Sequence, residues 1–420
     1  MEGKKAPIAP VVLLVVTGVV YSSPSNAQIV TDGSLGAQVT LNGIDVDIVE
    51  TLGTRSGDNL FHSFETFNIQ ADGTVTFTGA SDINNVISRV TGGEVSNIDG
   101  VLRSEVGSAN FFFINPAGVA FGEGGSVDVP ASFHLSTAEE LRFVDGTVLS
   151  ASTTATSTLS MAAPEAFGFL GNNAGSINIE GGSIVIGSGS GSPDNITLSA
   201  NSLFVSETAN VTTPGAIRIA AVGDAEASID LETGAQSPLE GELLVNGLVG
   251  LVPPADAPNN ILAEAGTIEI TGPESGLATG AEGTTQVISR DLVVSDGGDI
   301  FSQGSVDIQV LNQVSVLDGG QISTIAFGEE GAGDLEISAA NLLIDGLGSD
   351  SLTGVFSTGL MGTTGDTGGI DVAVTETAII QDGGLIRSAN AGSGDAGNIC
   401  LLYTSPSPRD ATLSRMPSSA

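Results

Sequence analysis

The sequence predicts an all-β chain wound as a parallel solenoid, and three observations carry that prediction. Glycine supplies 58 of 420 residues and charged residues only 14%, while 40% are apolar. Average proteins hold about half that glycine and about a quarter charged residues, and disordered chains bury far less apolar surface. A pattern of Gly, any residue, aliphatic, polar, aliphatic then recurs at Gly175–Ile179, Gly215–Ile219, Gly266–Ile270, Gly304–Ile308 and Gly333–Ile337, and one residue shorter at Gly369–Ala373. Finally, residues 111–129 hold three short apolar strands separated by two tight turns, a coiling pattern that leaves no room for a helix.

Each strand of such a solenoid alternates aliphatic and polar residues, which puts one set inside and the other outside. A single rung cannot bury its apolar side alone; stacking on its neighbours does so. Asp-Gly-Gly starts at Asp296, Asp318 and Asp382, with gaps of 22 and 64 residues. The second gap is close to three times the first, so the sequence predicts a rung of roughly 20 residues.

The elements come in chain order. Lys4 and Lys5 precede an apolar run, Ala9–Val20, too short to span a bilayer. Small residues before Ala27 predict signal-peptide cleavage between Ala27 and Gln28. Gln28–Gly53 carries two period-two sets, Ala37, Val39 and Leu41, then Ile44, Val46 and Ile48, each expected as a strand. Phe61, Phe64 and Phe67 read as a short turn-rich segment before a strand at Thr74–Thr78. Phe111–Ile114 is apolar on both faces, as a doubly buried strand is. Asn115-Pro116-Ala117-Gly118 stops it with three turn formers. Val119–Phe121 and Ser126–Val129 are the next strands, separated by Gly122, Gly124 and Gly125. Leu141–Phe143 and Thr147–Leu149 are further strands. Twelve of the 16 phenylalanines lie between residues 61 and 169, so this region needs a fatter core than the rest of the chain. Leu251–Asn260 holds three prolines and marks a soft boundary. The expected division is 1–27 signal peptide, 28–250 amino-terminal domain, 251–399 repeat stalk and 400–420 a non-native tail. That tail has no glycine and holds the sole cysteine, Cys400, and is left out of the expected fold.

The stretch Asn115-Pro116-Ala117-Gly118-Val119 with Phe121-Gly122 resembles the turn that marks the filamentous haemagglutinin amino-terminal domain, the secretion domain of two-partner-secreted exoproteins. The resemblance extends through Thr31–Gly36, Gly53–Phe64, Ile87–Gly93, Ser96–Gly100, Ser132-Phe133 and Ser136-Thr137-Ala138. It covers about residues 28–180 and looks most like the cyanobacterial branch. It departs at Ala117, where the family usually has Asn. Because Ala cannot bond its own backbone, a less rigid turn is expected there.

The resemblance implies a right-handed parallel β-helix with an amino-terminal capping secretion domain. It implies export by the general secretory translocon and capture of the amino-terminal domain by the POTRA domains of an outer-membrane transporter. Folding outside the cell comes next, so the protein is expected to be secreted, extracellular or on the cell surface, by way of the periplasm. The secretion motif is Phe113, Ile114, Asn115, Pro116, Ala117, Gly118, Val119, Phe121 and Gly122. The main reading is a large secreted exoprotein or adhesin with an unknown surface receptor or glycan. The alternatives are a β-helical polysaccharide-active enzyme and the stalk of a haemolysin or contact-dependent inhibition toxin.

Composition narrows the chemistry. The net charge is −38, and both lysines lie in the leader. Binding nucleic acid or an anionic membrane needs Lys and Arg to replace counterions, so those partners and stable membrane insertion are excluded. One cysteine gives no disulfide framework. His62 and His134 are the only histidines. They stand far apart without neighbouring ligands, and a structural role is expected for both. The chain has no tryptophan and, outside the leader, only Tyr403 as tyrosine. Sugar grooves favour these side chains, so no catalytic residue is assigned and the chain is read as a non-enzyme. Gly331–Leu335 and Gly392–Ala396 faintly resemble a calcium-binding repeat, but isolated copies read as turns, and no cofactor is expected. Arg55, Arg89, Arg103 and Arg142 all fall in the resembling region, as surface pairs or as transporter contacts.

Overall fold

The computed structural model describes residues 28–151, 158–171, 175–186, 194–250 and 260–403. The signal peptide with its cleavage site at Ala27, the prolines of 251–259 and residues 404–420 lie outside the described residues. The chain is a parallel β-helix, right-handed as parallel crossovers are, with three faces. Face one runs through Asn59–Phe67, Asn85–Val90, Asn110–Ile114, Phe133–Ser136, Ile196–Ala200 and Ile217–Ala221. Face two includes Ser96–Ile98, Val119–Phe121, Ser176–Ile179, Ser202–Val205 and Glu242–Val245. From Ile261 onward one long strand per rung serves both faces across a corner. Face three is a separate 12-stranded sheet that begins at Asp45–Val49 and ends at Leu385–Asn390.

The Phe111–Asp128 stretch forms one rung: Asn110–Ile114 on face one, Val119–Phe121 on face two and Ser126–Asp128 on face three. Leu60, Val86, Phe111, Phe133, Ile196 and Ile217 stack in register on the inner side of face one. They belong to one apolar core that runs from Ile29 to Val374.

Three expectations are corrected. The Phe61, Phe64, Phe67 spacing is one nine-residue strand, Asn59–Phe67. Its pairing with Gln28–Thr31 slips between Val30 and Thr31, where Val30 faces Thr66 and Thr31 faces Phe64. This bulge at Glu65 resets the pleat, so Phe64 and Phe67 both join the inner core while Phe61 points out. Ala37 and Val39 are not in a strand: the Thr31 hydroxyl donates to Ala37 O (2.8 Å) and accepts from Val39 N (2.7 Å), holding a loop. Only Thr40–Asn42 pairs, antiparallel to the first strand, and closes the end of the helix. The third correction concerns the 64 residues from Asp318 to Asp382, which hold two rungs, not three. Register runs from Leu317 to Asp345 to Gln381, the extra length lying in the turns.

The Asp-Gly-Gly elements are turns with positive φ at both central residues, 51° and 81° at Asp296-Gly297 and 42° and 82° at Asp318-Gly319. That is the backbone for which Asp-Gly is selected. The Gly-led pattern opens two different faces: Gly175 and Gly266 precede face-two segments, whereas Gly215, Gly304, Gly333 and Gly369 precede face-one segments. Ile399–Tyr403 pairs with Ile370–Gln381, Leu401 falling opposite Val372, because an open parallel edge accepts any apolar alternation.

The phenylalanine-rich region has a second core outside the helix. The chain leaves face one after Ser136, forms Glu140–Phe143, Val148–Ser150 and Pro164–Leu170, and returns at Ser176. It leaves again after Ala221 to form Glu226–Asp230 and Gly234–Ala235. These strands make a five-stranded antiparallel outer sheet. Leu141–Phe143 and Thr147–Leu149 therefore belong to a hairpin on the surface of the solenoid.

Candidate functional site

The turn Asn115–Gly118 links faces one and two at a corner. Asn115 is fully buried. Its Oδ1 accepts the Ala117 N–H at 3.0 Å, and its Nδ2 donates to Glu94 O and Ser96 Oγ, both at 2.9 Å. The Gly118 N–H closes the turn on Asn115 O at 3.0 Å, and Gly118 O accepts from Ser96 N at 3.1 Å. Gly118 has φ +119°, and a Cβ there would lie 3.0 Å from Ser176 O of the next rung. The side-chain bond that organises the turn thus comes from Asn115 and uses only the backbone of position 117. The departure at Ala117 removes no bond from it.

Phe113, Ile114, Val119 and Phe121 are buried, Phe113, Val119 and Phe121 in the inner core and Ile114 in the outer one. Pro116, Ala117, Ala120 and Gly122 are half-buried and form the accessible part of the motif. A Cβ on Gly122 would collide with the Asp99 carboxylate. Burial pushes the Asp99 carboxyl up.

The resembling segments converge beside this turn. Arg89 is in register with Ile114 on one side and Ser63 on the other, and its exposure is only 1%. Its Nε donates to Ser63 Oγ at 2.8 Å, its Nη2 to Ser34 Oγ at 3.1 Å and its Nη1 to Ser150 O. Ser63 Oγ in turn donates to Asp32 Oδ2, which also accepts from Thr91 Oγ1 at 2.8 Å. Asp32 Oδ1 accepts the Ser34 N–H and hydroxyl at 2.8 and 2.7 Å. Burial alone would push the Asp32 carboxyl up; the bonds from Ser63, Ser34 and Thr91 outweigh it and hold it below the usual range. Burial pushes the Arg89 guanidinium down, against the charge of Asp32. One network therefore ties the cap loop, two rungs and the outer sheet.

The other three arginines form surface pairs, Arg55 with Asp82 (2.9 Å), Arg103 with Asp128 (2.7 Å) and Arg142 with Glu140 (3.1 Å). His62 is buried in the inner core, edge-on to Phe77 at 5.4 Å, with no hydrogen-bond partner on either ring nitrogen. His134 stacks on Phe112 at 4.3 Å and bonds Thr197 Oγ1 through Nδ1 at 3.1 Å. Burial pushes their pKa values down to about 4 and about 3, the Arg218 charge adding to the effect at His134. Among the described residues no cluster of three or more His, Cys, Asp or Glu could hold a metal ion. Asp334, in one calcium-like turn, accepts the Gly369 N–H at 2.7 Å. No helix of the described residues is long and apolar enough to cross a membrane.

Sequence reasoning missed two features. Glu264 is 6% exposed and accepts the Ala235 N–H at 2.7 Å; burial pushes it up to about 7. It lines an open groove of about 460 Å³ with Leu239, Ile288, Arg290 and Leu311. The Asn59–Asn85–Asn110 ladder also went unread, although its 26- and 25-residue spacing was a signal.

A closed amino-terminal end, an Asn-Pro turn at a corner and an antiparallel sheet on one face define a capped, three-faced parallel β-helix. The model of the TPS secretion domain matches residues 27–323. The chain belongs to the TPS secretion-domain family. It is similar to the HMW1 secretion domain from Haemophilus influenzae, at 16% identity and TM-score 0.48, covering 91% of this chain and 98% of that one. A filamentous hemagglutinin secretion domain aligns at 15% identity and TM-score 0.37, with the same coverages of 91% and 98%. No curated protein sequence matches the chain. Domains of this family belong to secreted exoproteins and work with an outer-membrane transporter partner.

Proposed function

We propose that the chain is the amino-terminal part of a secreted adhesin-type exoprotein. The general secretory translocon delivers it to the periplasm, where the POTRA domains of its transporter read the Phe111–Gly122 segment as part of the address. The domain then folds first outside the cell, and the later rungs are a stalk that presents a distal effector to a surface receptor or glycan. The family match over residues 27–323 carries this reading. It is supported by a turn organised by three hydrogen bonds of the fully buried Asn115 side chain. The chain is read as having no catalytic role and no cofactor.

The test is export of the chain from a two-membrane bacterium with and without the family's barrel transporter from the same genome. Release into the medium only with the transporter is the expected result. Folded protein held in the periplasm in both cases would reject the reading and favour a β-helical enzyme. Asn115→Ile strands Glu94 O and Ser96 Oγ and removes the turn's side-chain bond. It is expected to lower stability by about 2–4 kcal/mol and to cut release at least tenfold. Normal release of a normally stable Asn115→Ile protein would remove this turn from the address.

A further inference from the structure

The outer side of face one carries an apolar stripe that export alone does not explain. Phe61, Ile87 and Phe112 are consecutive partners in register and point away from the helix interior, and Ile114 lies on the same side. All four are buried in one cluster with Leu141, Phe143, Leu149, Phe167 and Phe169 of the outer sheet. The Phe61 and Phe143 rings are 6.1 Å apart, and those of Phe112 and Phe167 are 6.4 Å apart.

Polar ties join the same two layers. Asn59 Nδ2 donates to Ser160 O at 3.1 Å and Ala162 O at 2.7 Å, and Ser56 Oγ donates to Leu159 O at 3.0 Å. Arg89 reaches Ser150 O. Asn85 and Asn110 extend the Asn59 end of this contact two rungs further, at 2.8 and 3.1 Å.

The covering strands come from two separate excursions. Pro164–Leu170 pairs antiparallel with Glu226–Asp230, Ala166 opposite Asp230. Gly234–Ala235 is then fastened to the Ile261–Thr271 rung by Glu264. The outer sheet therefore runs from the first rungs, under Phe143 and Phe167, to the Ile217–Ala221 and Ile261–Thr271 rungs, and is complete only when residues 226–239 are in place. A rung-by-rung winding, in which each turn is finished by its neighbour, does not describe this region. Beyond Ile261 it does, since each long strand there pairs with the rung before and the rung after.

We propose that the outer sheet is a clasp that makes residues 28–264 one cooperative folding unit, while the later rungs add singly. The occupant of the Phe61–Ile87–Phe112 stripe is this chain's own outer sheet. Until residues 226–239 arrive, the Pro164–Leu170 edge of the cover stays unpaired and the clasp is unfinished.

The test is amide hydrogen exchange on the full chain and on Ile229→Ala, a truncation in the outer sheet. Exchange at 59–64, 85–90 and 110–114 is expected to quicken by the same factor as at 164–170, about 30-fold or more, with residues 305–345 changed less than about threefold. Faster exchange confined to 164–170 and 226–230 would overturn the proposal. Pulse labelling during refolding of the unmodified chain gives an independent reading. Protection at 59–64 and at 226–230 should arise in one phase; earlier protection at 59–64 alone would overturn it.

Discussion

Arg89→Leu is expected to cause the largest loss of stability of any single arginine replacement in this chain. The guanidinium is 1% exposed and supplies three hydrogen bonds, to Ser63, Ser34 and Ser150 O. Leucine replaces none of these bonds. It also removes the cation that reaches the half-buried Asp32 carboxylate through Ser63. Losing three hydrogen bonds from a charged, buried donor and leaving their acceptors unpaired costs about 3–5 kcal/mol. Arg89→Lys is expected to recover less than half, since one ammonium does not reach three acceptors held in a fork. Arg103→Leu, whose partner Asp128 is well exposed, is expected to change stability by under about 1 kcal/mol. Urea unfolding of the three variants checks the order. Equal losses for Arg89→Leu and Arg103→Leu would show that the network contributes nothing beyond a surface pair. The same burial means that Arg89 cannot touch a transporter while the domain is folded. Of the four arginines read as possible contacts, only Arg55, Arg103 and Arg142 can do so.

The features legible in the sequence are those that local rules determine. Phe111–Ile114 was readable as buried on both sides because no residue in it is polar, and the structure supplies both cores: Phe111 and Phe113 inside, Phe112 and Ile114 outside. The Asp-Gly-Gly turns were readable because few residues besides Gly, Asn and Asp tolerate positive φ. The faces were not. An aliphatic-polar-aliphatic strand looks the same on every face of a three-sided helix, so the Gly-led pattern could not say which side it opened. Rung length failed for a related reason: turns absorb residues at little cost, so 64 residues could be three short rungs or two long ones. The bulge at Glu65 hid a strand by breaking its period. The outer sheet was least legible, because its strands pair across about 60 residues and no local pattern records the partner. The convergence of Asp32, Ser63 and Arg89 had the same origin, although each lies in a segment singled out by resemblance.

Acidification from pH 7 to pH 5 is expected to loosen the first rungs while the middle of the helix tightens. His62 and His134 are neutral when folded, with pKa values of about 4 and about 3 against 6.5 unfolded. The folded state therefore binds fewer protons. Its stability from these groups is complete above pH 6.5 and falls as pH drops below it. Each group loses about 1.4 kcal/mol per pH unit in that window, or about 2 kcal/mol each by pH 5. Glu264 and Asp299 shift the other way, each raised to about 7 by burial. Their folded forms hold protons that the unfolded chain releases, so they favour the folded state as pH falls from 7 toward 5. The two effects oppose in the whole molecule but sit in different rungs. Amide exchange separates them: residues 59–67 and 133–136 should exchange faster at pH 5 relative to the intrinsic rate, Glu264 offsetting part of the loss within their cooperative unit, and residues 299–302 slower. His62→Leu isolates one contribution. The difference in unfolding free energy between the variant and the unmodified chain should shift by about 2 kcal/mol in favour of leucine between pH 7 and pH 5. A difference that stays constant across that range would mean that His62 takes up its proton without opening the first rung, and that its burial is not what holds it neutral.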